Sequence, residues 1–334
     1  MATPLIIRAG RAARTHIMEK GLVPEDILGV FGASGAAKWL AIYGLDRAIF
    51  SQWLNPISHD IYLFGTSIGA WKLAAGVQKD PGPAFDRLKQ AYIGQKYEGR
   101  VTSEKITEES LKIFDQFLGK EKIGEILANP FLHLGFSAVQ CKGPMALENK
   151  GVLLASMLAA FLMNLLSRNT QSLFFERTLF HVPGALDWPM DFTGLSLNMV
   201  GLSSQNFKQA LLASGSIPVI MDGIKDIPGA KKGTYRDGGV LDYHPIFPLL
   251  KERQGFILYP HFYPEIIPGW FDKTLPNRRA QGDIMDRKDF NRFHGKDELR
   301  TRVWQEVAQK SLALGSEFLG AVETGRIGNM VQPF

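Results

Sequence analysis

Ile61-Tyr62-Leu63-Phe64-Gly65-Thr66-Ser67-Ile68-Gly69-Ala70-Trp71-Lys72-Leu73-Ala74-Ala75 sets an apolar run, a turn of small residues and a helix-forming stretch end to end. The run from Asp60 to Phe64 is too short for a core helix and reads as a buried strand, and the continuation through Gln78 reads as a helix. The same order occurs earlier, with Ile27 to Phe31 as strand, Gly32 to Gly35 as turn and Ala36 to Phe50 as helix. Two such units predict an α/β fold with a mainly parallel central sheet flanked by helices. Both turns are then expected at the carboxyl edge of that sheet, where ligands of such folds bind.

Outward from these units, Pro81 to Lys122 is polar and mixed in charge, with helical spacing at Tyr92 to Tyr97 and Leu111 to Leu118, and is expected to form a solvated cap. Further strands are expected at Leu179 to Val182, Leu195 to Met199 and Phe256 to Tyr259. A helix capped by Ser203 is expected to run to Ala213. The longest apolar run, Val152 to Leu166, falls short of the ~20 residues needed to span a bilayer, so it reads as a buried or surface-covering helix. Core is its first reading, and the wall or lip of an acyl pocket its second. Beyond Pro260, Pro264, Pro268 and Pro276 punctuate a loop, Asn277 to Arg302 is dense in charge, and Glu298 to Ala321 has helical spacing. The expected division is a catalytic domain over 1–263 and a C-terminal loop and helical appendage over 264–334, packed on it.

The 38 basic against 33 acidic side chains leave a formal charge of +5, which suits an anionic lipid surface and falls far short of a nucleic-acid footprint. One cysteine, Cys141, excludes an intrachain disulfide and a thiolate metal cluster. The first eighteen residues carry Arg8, Arg11 and Arg14 but no continuous apolar core, so a cytoplasmic protein, with contact at membranes only peripheral, is the expectation.

Three segments can carry chemistry. Gly65-Thr66-Ser67-Ile68-Gly69 is a G-x-S-x-G pentapeptide between strand and helix, the context in which a serine hydroxyl stands exposed on a sharp turn. The alternative is a tight turn with a structural serine. In Asp237-Gly238-Gly239 two glycines leave the carboxylate unobstructed, although an ordinary turn reads the same way. Gly32-Ala33-Ser34-Gly35-Ala36-Ala37-Lys38 sets backbone amides at a helix start, ready to stabilise an anion. A phosphate-binding P-loop is excluded because Ala37 precedes Lys38 and Trp39 follows it. A dinucleotide-binding turn remains an alternative, weakened because Lys38 stands where its later glycine belongs.

Taken together, the segments resemble the patatin-like phospholipases. Ser34-Gly35-Ala36-Ala37-Lys38, with Gly44 beyond it, is similar to that family's glycine-rich oxyanion loop. Gly65 to Ala70 is similar to its nucleophile elbow, and Arg236-Asp237-Gly238-Gly239-Val240-Leu241-Asp242, followed by Pro245, to its Asp-Gly-Gly/Ala segment. Ala210-Leu211-Leu212-Ala213-Ser214-Gly215-Ser216-Ile217-Pro218 resembles its Ala-Ser-x-Ala-x-Pro segment. The likeness spans roughly Ile27 to Tyr259; Ser34 and Ala36 replace loop glycines, which is expected to alter the loop's reach.

The resemblance implies a three-layer fold and an acyl hydrolase with a Ser–Asp dyad. Ser67 would attack an ester carbonyl, Asp237 would take its proton, and the amides of Gly35, Ala36 and Ile68 would hold the oxyanion. No cofactor or metal is implied, and the partner is a lipid or small ester. Desolvation has to raise the Asp237 pKa if the carboxylate is to act as a base. The competing readings are a Ser-Asp-His triad using His244, His261 or His294, with His181 structural, and a non-catalytic lipid-binding protein of the same fold.

Overall fold

The structure is a computed structural model that describes residues 5–55, 57–97, 99–184, 188–192, 194–248, 254–278 and 296–334. In chain order the strands are β1 (Ile7–Ala9), β2 (Ile27–Gly32), β3 (Ile61–Thr66), β4 (Leu132–Cys141), β5 (Phe175–His181), β6 (Leu197–Gly201), β7 (Ile224–Lys225), β8 (Thr234–Asp237), β9 (Phe256–Leu258) and β10 (Val331–Pro333). The helices are α1 (Arg11–Lys20), α2 (Tyr43–Ala48), α3 (Ile68–Gly76), α4 (Pro81–Ile93), α5 (Ser103–Phe117), α6 (Lys120–Leu127), α7 (Lys150–Leu166), α8 (Phe207–Gly215), α9 (Asp297–Glu323) and α10 (Ile327–Met330).

β2 and β3 are apolar nearly throughout because both faces are covered, as parallel central strands require. An eight-stranded sheet forms around them: β9, β2, β3 and β4 run parallel, β5 is antiparallel to β4, and β6 runs parallel to β5. β4, absent from the sequence reading, is the centre of this sheet. His133, Gly135, Ser137 and Gln140 break its apolar run, but Leu132, Leu134, Phe136 and Ala138 alternate on one face and pack inward. β4 outruns β3 by four residues, and β8 pairs antiparallel with that overhang.

Pro81 to Lys122 is not a solvated cap. Phe85, Leu88, Phe114 and Phe117 are buried, and Trp71 of α3 stacks on Phe117 at 5.6 Å, so α4 and α5 belong to the helical layer and turn only their charged faces to solvent. The segment read as one helix from Ala36 begins as a 3-10 helix over Ala36–Ile42 and continues into α2. The expected Ser203 cap is displaced to Asn206, whose Oδ1 accepts from the Ser203 amide at 2.9 Å and whose Nδ2 donates to the Gly201 and Pro228 carbonyls.

α9 crosses α2 at backbone contact: a Cβ on Gly315 would lie 2.5 Å from the Gly44 carbonyl oxygen, and the Gly44 amide donates to Ser311 Oγ at 2.9 Å. The chain end then returns to its beginning, with β10 parallel to β1 and α10 packed on α1. Gly315→Ala is expected to lower stability by about 1–3 kcal/mol, measured by chemical denaturation, because rigid backbone faces the added methyl; an unchanged midpoint would mean that the two helices separate easily.

α7 takes up the long apolar run. It buries Leu153, Ala160 and Asn164 and leaves Leu154, Leu158 and Leu162 exposed, so the run is core on one face only. Among the described residues no helix is long and apolar enough to cross a membrane.

Candidate active site

Register brings the two chemical segments together. Gly32 pairs with Gly65, so the turns after β2 and β3 lie side by side at one edge of the sheet. Thr66 pairs with Ser137 on β4, and one position further along that strand Ala138 pairs with Asp237. β3 and β8 therefore approach each other along one side of β4 and meet where Ser67 and Asp237 stand. Ser67 Oγ donates to Asp237 Oδ2 at 2.7 Å, across 170 residues of chain.

The serine sits at φ 54°, ψ −132°, a backbone conformation that costs an L residue of order 1–3 kcal/mol. Its neighbours make it possible. A Cβ on Gly69 would lie 2.1 Å from the Gly32 carbonyl oxygen, and one on Gly65 would meet Gly69, so only glycines let α3 start this close to both strands. The Ser67 amide donates to Ser214 Oγ at 3.0 Å, and that hydroxyl donates to the Ser137 carbonyl at 2.8 Å. Ser214 and Ser137 thus pin the elbow to α8 and β4.

Asp237 is held as closely. Its Oδ1 accepts from the Gly239 amide at 2.7 Å, its own amide donates to the Ser216 carbonyl, and a Cβ on Gly238 would lie 2.1 Å from the Ser137 carbonyl oxygen. Asp242 takes a bidentate, buried ion pair from Arg177 at 2.7 and 2.8 Å, which ties the following turn to β5. Ser67 and Asp237 are each only 6% exposed. Burial pushes the Asp237 carboxyl up to about 6, against the Ser67 hydroxyl, the Gly239 amide and the charge of Lys273, which all favour the carboxylate. Lys273 was not singled out in the sequence: its ammonium lies over the Tyr243 ring at 3.7 Å, reached from the C-terminal segment.

The Gly32–Lys38 loop lies beside the elbow. Ser34 is a structural tie: Thr66 Oγ1 donates to the Asp242 carbonyl, so the 2.7 Å contact between the hydroxyls has Ser34 donating to Thr66, and the Ser34 amide donates to the Tyr243 carbonyl. Ala36 reaches φ 49° despite its Cβ, so this departure from glycine does not deny the loop its left-handed turn. A Cβ on Gly35 would lie 2.3 Å from the Phe262 ring, and Lys38 Nζ donates to Tyr263 Oη at 2.5 Å; both partners follow β9. Ile68 is the first residue of α3 and Ala36 of the 3-10 helix, positions whose amides have no intrahelical acceptor.

Among the described residues no histidine hydrogen-bonds to Ser67 or Asp237. His244 is buried, its Nδ1 accepts from the Ile267 amide at 2.9 Å, and burial together with His261 holds its pKa well below the ordinary value. His261 stands edge-on to it at 4.3 Å, His181 Nδ1 contacts the Val182 carbonyl, and His294 lies outside the described residues. His244→Ala is expected to change kcat/KM for a short ester less than ~10-fold while lowering the melting temperature, because it leaves a buried amide without its acceptor. A loss of ~100-fold or more with unchanged stability would restore the triad. Comparison with protein-family models and with curated proteins finds no match for this chain.

Proposed function

We propose that this protein is a serine acyl hydrolase that cleaves carboxylic esters of lipids or small molecules through an acyl-enzyme on Ser67. The observation that carries the reading is the direct Ser67–Asp237 hydrogen bond at a strained strand-to-helix turn, with the carboxylate desolvated enough to be a base near neutral pH. Ser67 Oγ attacks the ester carbonyl carbon as its proton passes to Asp237. The tetrahedral intermediate collapses, the carbon–oxygen bond to the leaving group breaks, and Asp237 returns the proton to the departing alcohol. Water, deprotonated by Asp237, then attacks the acyl carbonyl; the bond from that carbon to Ser67 Oγ breaks, Asp237 returns the proton to Oγ, and the acid is released. Amides of Gly35, Ala36 and Ile68 serve as oxyanion donors, each worth on the order of 3 kcal/mol in a reaction of this kind. The proposal includes a cytoplasmic setting; it needs no disulfide, since Cys141 is the only cysteine.

The test is a burst experiment with p-nitrophenyl acetate and octanoate. A rapid release of about one equivalent of p-nitrophenol, with the matching acyl mass on the peptide containing Ser67, supports the reading; absence of both turnover and adduct with either ester, and with a lysophospholipid, defeats it.

A further inference from the structure

Between Lys150 and Arg168 the chain has no charged residue, and α7 is apolar on both faces. Its inner face, through Leu153, Met157, Ala160 and Phe161, packs into a cluster with Phe175 and Phe271. On its outer face Leu154, Leu158, Leu162 and Leu166 stand 53–79% exposed at i, i+4, i+8 and i+12. A helix apolar all round is ordinarily covered on every side, and single exposed leucines need no explanation, but four in one stripe form a continuous surface. Leu147 and Leu173, in the turns just before and after α7, are exposed as well.

The polar groups of α7 are satisfied without turning to this face. The Ser156 hydroxyl donates to the Val152 carbonyl at 2.8 Å, and Asn164 Nδ2 donates inward to Asp272 at 2.8 Å. Lys150 stands exposed at its start, near Glu104 and Asp222, and the neighbouring acid Glu148 is paired with Arg236; at its end Arg168 and Arg278 share the buried carboxylate of Asp272, so positive charge is in excess there. We propose that α7 is a membrane-docking helix that lays this stripe on a bilayer containing anionic phospholipid. A helix of 17 residues with one face already committed to the protein lies in the interface plane instead of crossing it. The docking is independent of the dyad's chemistry, and it is tested on Ser67→Ala protein so that turnover plays no part in the readout.

The probe is cosedimentation of the full chain with vesicles of phosphatidylcholine containing ~30 mol% phosphatidylserine, against phosphatidylcholine alone. Saturable binding to the anionic vesicles is expected, weakened by added salt and weakened at least ~10-fold by the double change Leu158→Ser and Leu162→Ser at unchanged melting temperature. Should that variant fail to fold, Leu158→Trp carries the test: vesicles with brominated acyl chains must quench its emission beyond the wild-type level. Absence of binding, equal binding by the serine variant, or lack of extra quenching overturns the proposal. So does a concentration-dependent dimer, disrupted by the same serine variant, in protein that ignores vesicles.

Discussion

Ser67→Ala is expected to abolish covalent labelling by a fluorophosphonate and to lower ester turnover by at least ~10⁴-fold, because the attacking atom itself is removed. The site predicts selectivity too. Ser34, Ser137, Ser214 and Ser216 also stand close to the dyad, but all four are buried and their hydroxyls are spent on structural acceptors: Thr66, Asp242, the Ser137 carbonyl and the Leu212 carbonyl. Peptide mapping of the wild type should find the adduct on Ser67 alone; an adduct on any of the other four would refute the assignment. A companion variant separates strain from chemistry. Ser67→Gly should be as inactive as the alanine variant yet more stable by about 1–2 kcal/mol, since glycine reaches φ 54° without penalty. If the glycine variant is the less stable of the two, the turn stores no strain.

Asp237→Asn is expected to cost at least ~100-fold in kcat/KM while leaving the Ser67 turn in place. In the wild type the carboxylate is the working form, so kcat/KM should rise about tenfold per pH unit below ~6 and level off above it, and the asparagine variant should lack that limb. Stability runs the opposite way. The folded carboxyl, at about 6, holds its proton more tightly than the ordinary value of 3.8, so the native state binds more protons between these two values. Stability from this group is therefore fully present below ~4, falls as pH rises to ~6, and stays lower above, by ~3 kcal/mol. Asp237→Asn should accordingly raise the denaturation midpoint at pH ~8 and barely change it at pH ~4. Destabilisation at pH ~8 would mean that the hydrogen bonds from Ser67 and Gly239 outweigh the burial of charge.

The elements legible in the sequence are those set by neighbours along the chain. Apolar runs of four or five residues ending in glycine marked β2 and β3, and helical spacing marked α9 to within two residues at either end. Gly65 and Gly69 flagged the elbow because a turn that tight admits no Cβ. What the local pattern could not carry was distance. β4 was missed because it offers no continuous apolar run of the kind that marked β2 and β3, only the alternation of Leu132, Leu134, Phe136 and Ala138, and without β4 nothing set β8 end to end with β3, which is what joins Ser67 to Asp237. Ser214 lies in the Ala210 to Pro218 segment that the resemblance marked, but Arg177, Phe262 and Lys273 reach the site from three other segments, and no spacing along the chain marks them. The exposure of α7 belongs to the same class, since an all-apolar run looks the same whether one face is covered or both. Which residues can turn, cap and ionise was legible along the chain, because those are properties of a residue and its immediate neighbours. Which of them meet, and how dry the meeting place is, follows from the folded arrangement, because register and burial depend on chain segments far apart in sequence.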